Sequence, residues 1–435
     1  MQNNAKVTPL NSWHREHGAN MAVFGGYDMP LWYAAGAKAE HLAVLSGCGM
    51  FDTSHMAVLR LTGPDIHEFL QWCFSRDIDL CVGKKKAPLS PGRAVYGIFL
   101  NEAGGVVDDV ILFQTEPDVY LAVVNAGMGA HSTHHVLNYI DTCEGSCNVL
   151  VSDLTDKVGK IDVQGPLSGR VLGDVLADAN RVLDGMVYFS FKGSLFGASG
   201  PTGEVLLRDG TPVLLSRSGY TGEFGFELFV DPSRLVDVWE AVYEAGKRYG
   251  LLPCGLAARD SLRTGALMPL SHQDNGNWRY LGNPWSVALP YTDDGTGFTK
   301  DFLGRRALEN LPPSYYTLPF VGFDMRKIVP AIAPPVVLDS VGEVVGIVLT
   351  CVTDMGIDRI GNIIYSVTSP DKPLDFTPRG LSCGFVKVNR KLSVGERVIL
   401  RGAKREISVE IADDIRPART ARKPIREMLS YNQTP

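Results

Sequence analysis

The sequence predicts an α+β protein with three domains, two mixed units of strands and helices followed by an all-β barrel. The chain has 435 residues, more than a single hydrophobic core usually organises. A motif of strand, Gly-Pro break and helix occurs twice before residue 180, which suggests two units of similar plan. From Phe320 onward, short strand-like runs alternate with Gly, Pro and Asp turns. This rhythm is typical of a small barrel or sandwich.

Changes in pattern along the chain predict the domain boundaries. We expect the first α+β unit in residues 1–150, with an extension into the following segment left open, the second unit in 151–312 and the barrel in 313–435. The segment Leu311–Pro319 is rich in Pro and Tyr. We expect this segment to link the second unit to the barrel.

The repeated motif joins a strand to a helix. In the first copy, the strand Met56–Leu61 runs into Gly63-Pro64 and a helical pattern. In the second copy, the strand Gly159–Val163 runs into Gly165-Pro166 and the helix Leu167–Leu176. Proline is tolerated where a helix begins, because its missing N–H would have no partner there.

The remaining elements follow from hydrophobic periodicity. The expected helices are 38–47, 235–249 and 256–267. The expected strands are 93–100, 213–216, 224–230 and, in the barrel, 336–338, 344–353, 361–367, 383–388, 397–400 and 406–411.

The composition excludes several classes of protein. Hydrophobic residues make up 45% and charged residues 21% of the chain, as in ordinary globular proteins. The net charge of −6 argues against a general nucleic-acid binder. Because no apolar run approaches the roughly 20 residues of a membrane helix and no targeting segment is recognisable, we expect a cytoplasmic protein. The dispersed cysteines are expected to be buried thiols, and no metal site is expected.

Five basic residues near the C-terminus form the densest cationic cluster of the sequence. We expect either a solvated tail or a landing patch for an acidic partner. The cluster consists of Arg416, Arg419, Arg422, Lys423 and Arg426.

The segment Asn101–Phe113 carries the strongest chemical signal. Gly104-Gly105 predicts a turn between two apolar strands, and Asp108 and Asp109 follow inside the second strand. Adjacent side chains of a strand point to opposite faces, so one of the two acids can face inward. An inward carboxylate costs several kcal/mol unless it is paired or performs chemistry. The spacing alone leaves open that both acids lie near the hairpin end and stay hydrated.

Several short motifs occur along nearly the whole chain in the order found in a known family. The motifs are Phe24–Pro30, Gly49–Met56, Asn101–Asp109, Val123–Asn125, Gln164–Pro166, Ser216–Glu227, Gly255–Arg263 and Asp301–Leu308. With them, the sequence resembles the glycine-cleavage T-protein (aminomethyltransferase) family of tetrahydrofolate-binding proteins.

The resemblance implies three domains around a central folate cavity. It also implies an enzyme that moves a one-carbon unit from an aminomethyl-lipoyl carrier, the H-protein, to tetrahydrofolate with release of ammonia. Tetrahydrofolate and the H-protein are therefore the expected ligand and partner, and no nucleic acid or membrane is expected.

Individual roles are carried over from the same resemblance. Asp109 matches the catalytic aspartate, which stabilises positive charge as the one-carbon unit arrives, and Glu227 matches the carboxylate that binds the pterin edge. Around them, the resemblance places Met56, Tyr96, Asn125, Tyr188, Tyr220 and Arg259 in contact with the folate. For Arg259, a structural ion pair with Asp260 or another acid is an equally good interpretation.

The fit is weakest after Arg263, where Gly265 replaces the acid and Ser271 the tyrosine of the family pattern. The alternative is a tetrahydrofolate-dependent demethylase of the same fold, acting on a small S-, O- or N-methyl donor. An iron–sulfur assembly factor is disfavoured because its Lys-Gly-Cys signature is missing. The folate-binding half of an amine oxidase is disfavoured because no dinucleotide fingerprint follows a strand.

Overall fold

The computed structural model describes residues 5–140, 147–195, 201–309, 311–329 and 333–430. The helices are α1 (Asn11–Glu16), α2 (Ala37–Ser46), α3 (Ile66–Cys73), α4 (Gly129–Ile140), α5 (Ser168–Val175), α6 (Ala179–Leu183), α7 (Leu235–Lys247), α8 (Leu256–Gly265), α9 (Arg305–Leu308) and α10 (Ile425–Leu429). The first strands are β1 (Asn20–Phe24), β2 (Tyr27–Trp32), β3 (Gly49–Asp52), β4 (Ala57–Thr62), β5 (Arg93–Leu100), β6 (Val106–Glu116), β7 (Val119–Val124), β8 (Leu150–Asp153), β9 (Gly159–Gln164), β10 (Phe191–Gly193), β11 (Leu214–Ser216), β12 (Gly225–Val230) and β13 (Leu252–Pro253). The C-terminal strands are β14 (Tyr316–Gly322), β15 (Val336–Leu338), β16 (Val344–Asp354), β17 (Ile357–Ile360), β18 (Ile363–Ser366), β19 (Leu381–Val388), β20 (Arg397–Arg401) and β21 (Glu406–Ile411).

The first large sheet has the strand order β5-β6-β7-β4-β8. Its outer face is covered by α3 and α4, whose apolar residues Phe69, Leu70 and Val136 are buried against it. The expected hairpin of β5 and β6 is present, as is the helix that follows the first Gly-Pro break.

The second large sheet has the order β10-β11-β12-β9-β3-β13. Helices α5 and α7 cover its outer face through Val171, Leu172 and Trp239. Strand β3 pairs with β9 in antiparallel register, Gly49 opposite Gln164, so this sheet takes strands from both sides of residue 150. Strand β3 thus belongs to the first expected unit in sequence and to the second sheet in space. The expected domain boundaries stay predictions.

The inner faces of the two sheets pack against each other through aromatic side chains. The ring of Phe113 on β6 lies 5.5 Å from that of Phe229 on β12 and 5.4 Å from that of Phe191 on β10. Because side chains alternate along a strand, residues two or four positions away from these rings point into the same space between the sheets. This space is where the acids of interest are found.

The C-terminal strands close into a barrel of order β14-β19-β16-β15-β20-β21, with β14 also pairing with β21. The α+β class and the barrel are confirmed. The first barrel strand begins at Tyr316, inside the segment expected to be a linker. Pro319 fits within that strand, where it lies opposite Phe385.

Some global features of the described ranges bear on the protein class. Within them, no helix combines the length and the apolar content that crossing a bilayer requires. Of the described cysteines, Cys48, Cys73, Cys254 and Cys383 are buried, as expected, whereas Cys81, Cys147 and Cys351 are half-buried. Cys143 lies outside the described residues.

Candidate functional site

The turn between β5 and β6 places the two aspartates. Gly104 has a φ of +74°, a left-handed conformation that favours glycine, and Asn101 accepts the Gly104 N–H and donates its own to Gly105. The register then shifts, because Phe99 lies opposite Asp108 whereas Leu100 lies opposite Val106. The extra residue is a β-bulge, which commonly re-aims side chains next to functional sites.

Asp108 and Asp109 follow the bulge directly, and their carboxylates lie close enough for one side-chain nitrogen to reach both. Asp109 lies opposite Ile98 and shares its face with Phe113, so it is directed toward the space between the sheets. Asp108 is fully buried, with no exposed surface. The interpretation that both acids stay hydrated is therefore wrong.

Asn125, which follows β7, binds both acids. Its Nδ2 group donates to Asp108 Oδ1 at 2.7 Å and to Asp109 Oδ1 at 2.6 Å, and its backbone N–H donates to Asp108 Oδ2 at 2.9 Å. The Tyr96 hydroxyl donates to Asp109 Oδ2 at 3.1 Å. Both side-chain N–H groups of Asn125 hold the carboxylates, and the expected contact of this residue with folate stays a prediction.

Burial raises the pKa of Asp109 to about 7, and the charge of Asp108 adds to the rise. The hydrogen bonds from Asn125 and Tyr96 oppose it. A carboxyl group with this pKa changes its charge near neutral pH, which is typical of groups that perform chemistry.

Glu227 lies on the face of the second sheet that is directed toward the first sheet, as Asp109 lies on the face of the first sheet that is directed toward the second. It lies on β12 between Ser216 of β11 and Asp162 of β9, on the same face as Phe229, and is 4% exposed. The nearest ammonium group, that of Lys160, lies 3.5 Å from Glu227 Oε1. Burial raises the pKa of Glu227, and Lys160 counteracts part of this rise.

A chain of ion pairs continues from Glu227 across β9 to α8. Lys160 Nζ donates to Asp162 Oδ1 at 2.5 Å, and Arg259 Nη1 donates to Asp162 Oδ2 at 2.7 Å. Thr53 Oγ1 also donates to Asp162 Oδ1, at 2.9 Å. Arg259 therefore forms a structural ion pair, but with Asp162, whereas Asp260 pairs with Arg263.

Tyr220 lies between the two acidic centres. The guanidinium of Arg259 stacks over its ring at 4.9 Å, and its hydroxyl donates to the carbonyl of Pro269. Burial raises the pKa of Tyr220; Asp109 adds to the rise and Arg259 opposes it. Tyr220 thus contacts the chain of ion pairs through Arg259 and lies within electrostatic range of Asp109.

Met56 and Tyr188 complete the set of expected residues. Met56 is half-buried and packs against the aromatic cluster between the sheets. Tyr188 is half-buried beside Phe189, with the guanidinium of Arg422 over its ring at 5.4 Å. Burial raises the pKa of Tyr188 to about 12, and the charge of Glu227 contributes to the rise.

The sequence reasoning missed Lys160, Asp162 and His55. Lys160 and Asp162 alternate with the apolar residues Ile161 and Val163 in the strand Gly159–Gln164, and this alternation is the signal that could have identified them. His55 is 1% exposed, and no described residue makes a hydrogen bond to its Nδ1 atom. Burial lowers the pKa of His55 to about 4.

The C-terminal basic cluster is not a single solvated patch. Arg416 is fully buried and binds Glu223 at 3.2 Å and Asp354 at 2.7 Å, because the chain after the barrel folds back onto the second unit. Arg426, by contrast, is 90% exposed in its side chain. Only part of the cluster is thus available to a partner.

Comparison with known proteins identifies the family. The family model described as the GCVT N-terminal domain matches residues 10–278, more than half of the chain. An aminomethyltransferase of Streptomyces avermitilis is 38% identical over 361 residues, which cover 80% of this chain and 85% of the relative. An aminomethyltransferase of Streptomyces coelicolor is 38% identical over 307 residues, which cover 69% and 72% of the two chains.

A solved structure supports the same assignment. The glycine cleavage system aminomethyltransferase T from Bartonella henselae superposes with a TM-score of 0.71 at 25% identity, and the match covers 94% of this chain and 97% of that one. The expected aminomethyltransferase activity is confirmed at the level of the family, and none of these relatives favours the demethylase alternative. The chain belongs to the glycine cleavage T-protein family of aminomethyltransferases.

Proposed function

We propose that this aminomethyltransferase uses tetrahydrofolate as the acceptor and a lipoyl-carrying H-protein as the donor. In the proposal, Asp109 is the catalytic carboxylate and Glu227 binds the pterin edge. Met56, Tyr96, Asn125, Tyr188, Tyr220 and Arg259 surround the ligand.

One observation carries the proposal. Asp109 and Glu227 lie on the facing surfaces of two packed sheets, and burial raises the pKa of both carboxyl groups. Burying acids in this way is costly without a ligand or a chemical task. Two separated acids suit a molecule that presents N–H donors at one end and a reacting nitrogen further along.

The residues present fit tetrahydrofolate. A carboxylate can accept two parallel N–H groups from a pterin edge. Glu227 is a buried carboxylate with a hydrogen bond from the Ser218 hydroxyl and a 3.5 Å approach from Lys160. The aromatic rings and Met56 offer the flat, apolar walls that a bicyclic ring needs. His55 Nδ1, in the charge cluster of Lys160 and Arg259, adds a buried polar atom suited to a ligand contact.

Bound tetrahydrofolate supplies the two nitrogens that take over the methylene group, while ammonia and the lipoyl thiol are released. Asp109, when ionised, stabilises the positive charge that develops beside it. Asn125 and Tyr96 hold the Asp109 carboxylate in one orientation through bonds to its two oxygens. The packed sheets limit the access of water, which strengthens these electrostatic interactions.

The donor requires a docking surface on the enzyme and a compartment that keeps thiols reduced. A mobile lipoyl arm needs a carrier protein that docks near the two sheets, and the exposed part of the C-terminal basic cluster suits an acidic carrier. The buried thiols Cys48, Cys254 and Cys383 are compatible with a reducing, cytoplasmic compartment.

A single assay tests the donor and the acceptor together. The enzyme is mixed with tetrahydrofolate and aminomethylated lipoyl carrier protein, and methylene-folate and ammonia are both quantified. We expect the two products in equal amounts. Parallel reactions contain sulfonium, methoxy-aromatic or methylamine donors in place of the carrier. Product from the carrier alone supports the proposal, whereas methyl-folate from a small donor alone contradicts it.

A further inference from the structure

Lys160 and Asp162 form a charged pair in the interior of the second sheet. The exposed fractions of the two residues are 4% and 0%. They are separated by one residue on β9 and therefore point to the same face, the one that carries Glu227 on the neighbouring strand. Arg259, Asp162, Lys160 and Glu227 form a row of alternating charge that crosses from α8 to β12.

The two inner members of this row are fully engaged with protein atoms. Asp162 Oδ1 accepts from Lys160 and Thr53, and Asp162 Oδ2 accepts from Arg259. The strong cations beside it lower the pKa of Asp162 to about 2 in spite of its burial. The outer members, Glu227 and Arg259, are the residues to which the proposed function assigns folate contacts.

The register explains why a cation is needed at this place. Glu227 lies directly opposite Asp162 across the β9–β12 pair, and like charges in that relation repel each other. Lys160 Nζ approaches both carboxylates, at 2.5 Å from Asp162 and 3.5 Å from Glu227. At the longer distance, Lys160 stabilises the charge of Glu227 without a short ion pair to its oxygens; the Ser218 hydroxyl also donates to this carboxylate.

We propose that Lys160 and Asp162 are positioning residues for folate recognition: Lys160 keeps Glu227 ionised, and Asp162 fixes the guanidinium of Arg259 over Tyr220. This inference rests on the proposed function. A purely structural ion pair is the competing explanation, and buried ion pairs usually add little net stability.

The experiment measures tetrahydrofolate affinity by calorimetry between pH 5.5 and 8.5 for wild type, Lys160→Met and Lys160→Arg. The charged and titratable groups facing Glu227 are Lys160, Asp162, Arg259 and Tyr188, the last of them covered by Arg422. Asp109 is common to all the proteins, so differences between them isolate the lysine. Lys157→Met, at an exposed lysine three residues earlier, is the matched control.

For Lys160→Met we expect at least a tenfold loss of affinity at pH 6 and a smaller loss at pH 8, because Glu227 then takes up a proton more easily. Lys160→Arg should restore most of the affinity, and Lys157→Met should match wild type. An equal loss at every pH, or no loss, overturns the inference. Absence of folate binding by wild type contradicts the proposed function instead.

A second measurement covers the possibility that Lys160→Met does not fold. Lys160→Gln retains a hydrogen-bond donor toward Asp162 without the charge, and it is compared alone and combined with Glu227→Gln. We expect the Lys160→Gln effect on affinity to disappear when Glu227 is already neutral. If the two losses simply multiply, Lys160 does not act through Glu227 and the inference is wrong.

Discussion

Asp354, on barrel strand β16, fills the space beside Gly265 at the end of α8. A Cβ atom added to Gly265 would lie 1.9 Å from Asp354 Oδ2 and 2.7 Å from Arg416 Nη1. Asp354 also binds His41 Nε2 at 2.8 Å and is fully buried. The acid that the resemblance predicts at position 265 is a glycine in this chain, and the Asp354 carboxylate of the barrel fills the space that a side chain there would enter.

Gly265→Ala should therefore destabilise the protein. The new methyl group would push Asp354 away from its ion pairs, which is expected to cost about 1–3 kcal/mol. The measurement is urea unfolding at neutral pH. Gly173→Ala is the matched control, since Gly173 also lies in a helix and its added Cβ would meet no atom within 4 Å. Equal stability of Gly265→Ala and wild type would contradict the packing described here.

Asp354→Asn tests the buried ion pairs themselves. Loss of this charge leaves Arg416 without one of its two buried partners, so we expect a loss of roughly 3–5 kcal/mol in the free energy of unfolding. Glu406→Gln, which breaks the surface pair with Arg401, should cost about 0–1 kcal/mol. The Arg401 and Glu406 side chains are 52% and 49% exposed. Similar losses of stability for Asp354→Asn and Glu406→Gln would contradict the expected difference between the buried and the surface ion pairs.

The elements defined by local pattern could be predicted from the sequence. The helix expected at 38–47 is found at Ala37–Ser46, and the strand expected at 336–338 is found at Val336–Leu338. Capping glycines and alternating apolar residues determine structure within a few positions, so the local sequence is enough to predict these elements. The Gly104-Gly105 turn is likewise an element that the local sequence predicts.

Features that depend on distant contacts could not be predicted in the same way. Arg259 and Asp162 are 97 residues apart, and their ion pair exists because the fold brings the two side chains together. The addition of β3 to the second sheet and the burial of Arg416 likewise depend on tertiary packing. The Asn125 contacts to both aspartates depend on the register shift at Val107. No local residue pattern predicts this shift.

Asp109→Asn should abolish most of the turnover while tetrahydrofolate still binds. The amide keeps the shape and the bond from Tyr96 but removes the negative charge, so we expect a fall of at least a hundredfold in kcat. Methylene-folate formation and calorimetric affinity are measured on the same preparation. If affinity falls as far as kcat, Asp109 acts in binding and the catalytic role is wrong.

Glu227→Gln should weaken folate binding. A charged acceptor contributes roughly 1.5–3 kcal/mol to its hydrogen bonds, so the Kd should rise about ten- to a hundredfold. Glu410→Gln on β21, where the acid faces Arg359 at 3.5 Å, serves as a glutamate-to-glutamine control away from the two sheets. An unchanged Kd for Glu227→Gln would exclude the assignment of the pterin edge.

The raised pKa of Asp109 makes a prediction about stability in the absence of ligand. An aspartate in an unfolded chain releases its proton near pH 3.9, whereas burial and Asp108 keep the Asp109 proton in the folded protein up to a pKa of about 7. Between these values the folded state holds more protons, so the free energy of unfolding falls as the pH rises. Above pH 7 this contribution has been lost.

Asp109→Asn should remove that contribution. We expect the variant to gain stability over wild type steadily from pH 4 to pH 7 and to keep a constant advantage above pH 7. Urea unfolding at half-unit pH intervals measures the difference, with exposed Asp156→Asn as the control. Asp108, whose pKa burial also raises, remains in both proteins. A difference that does not change with pH would show that Asp109 is ionised in the folded state throughout this range, and that its two hydrogen-bond donors outweigh its burial.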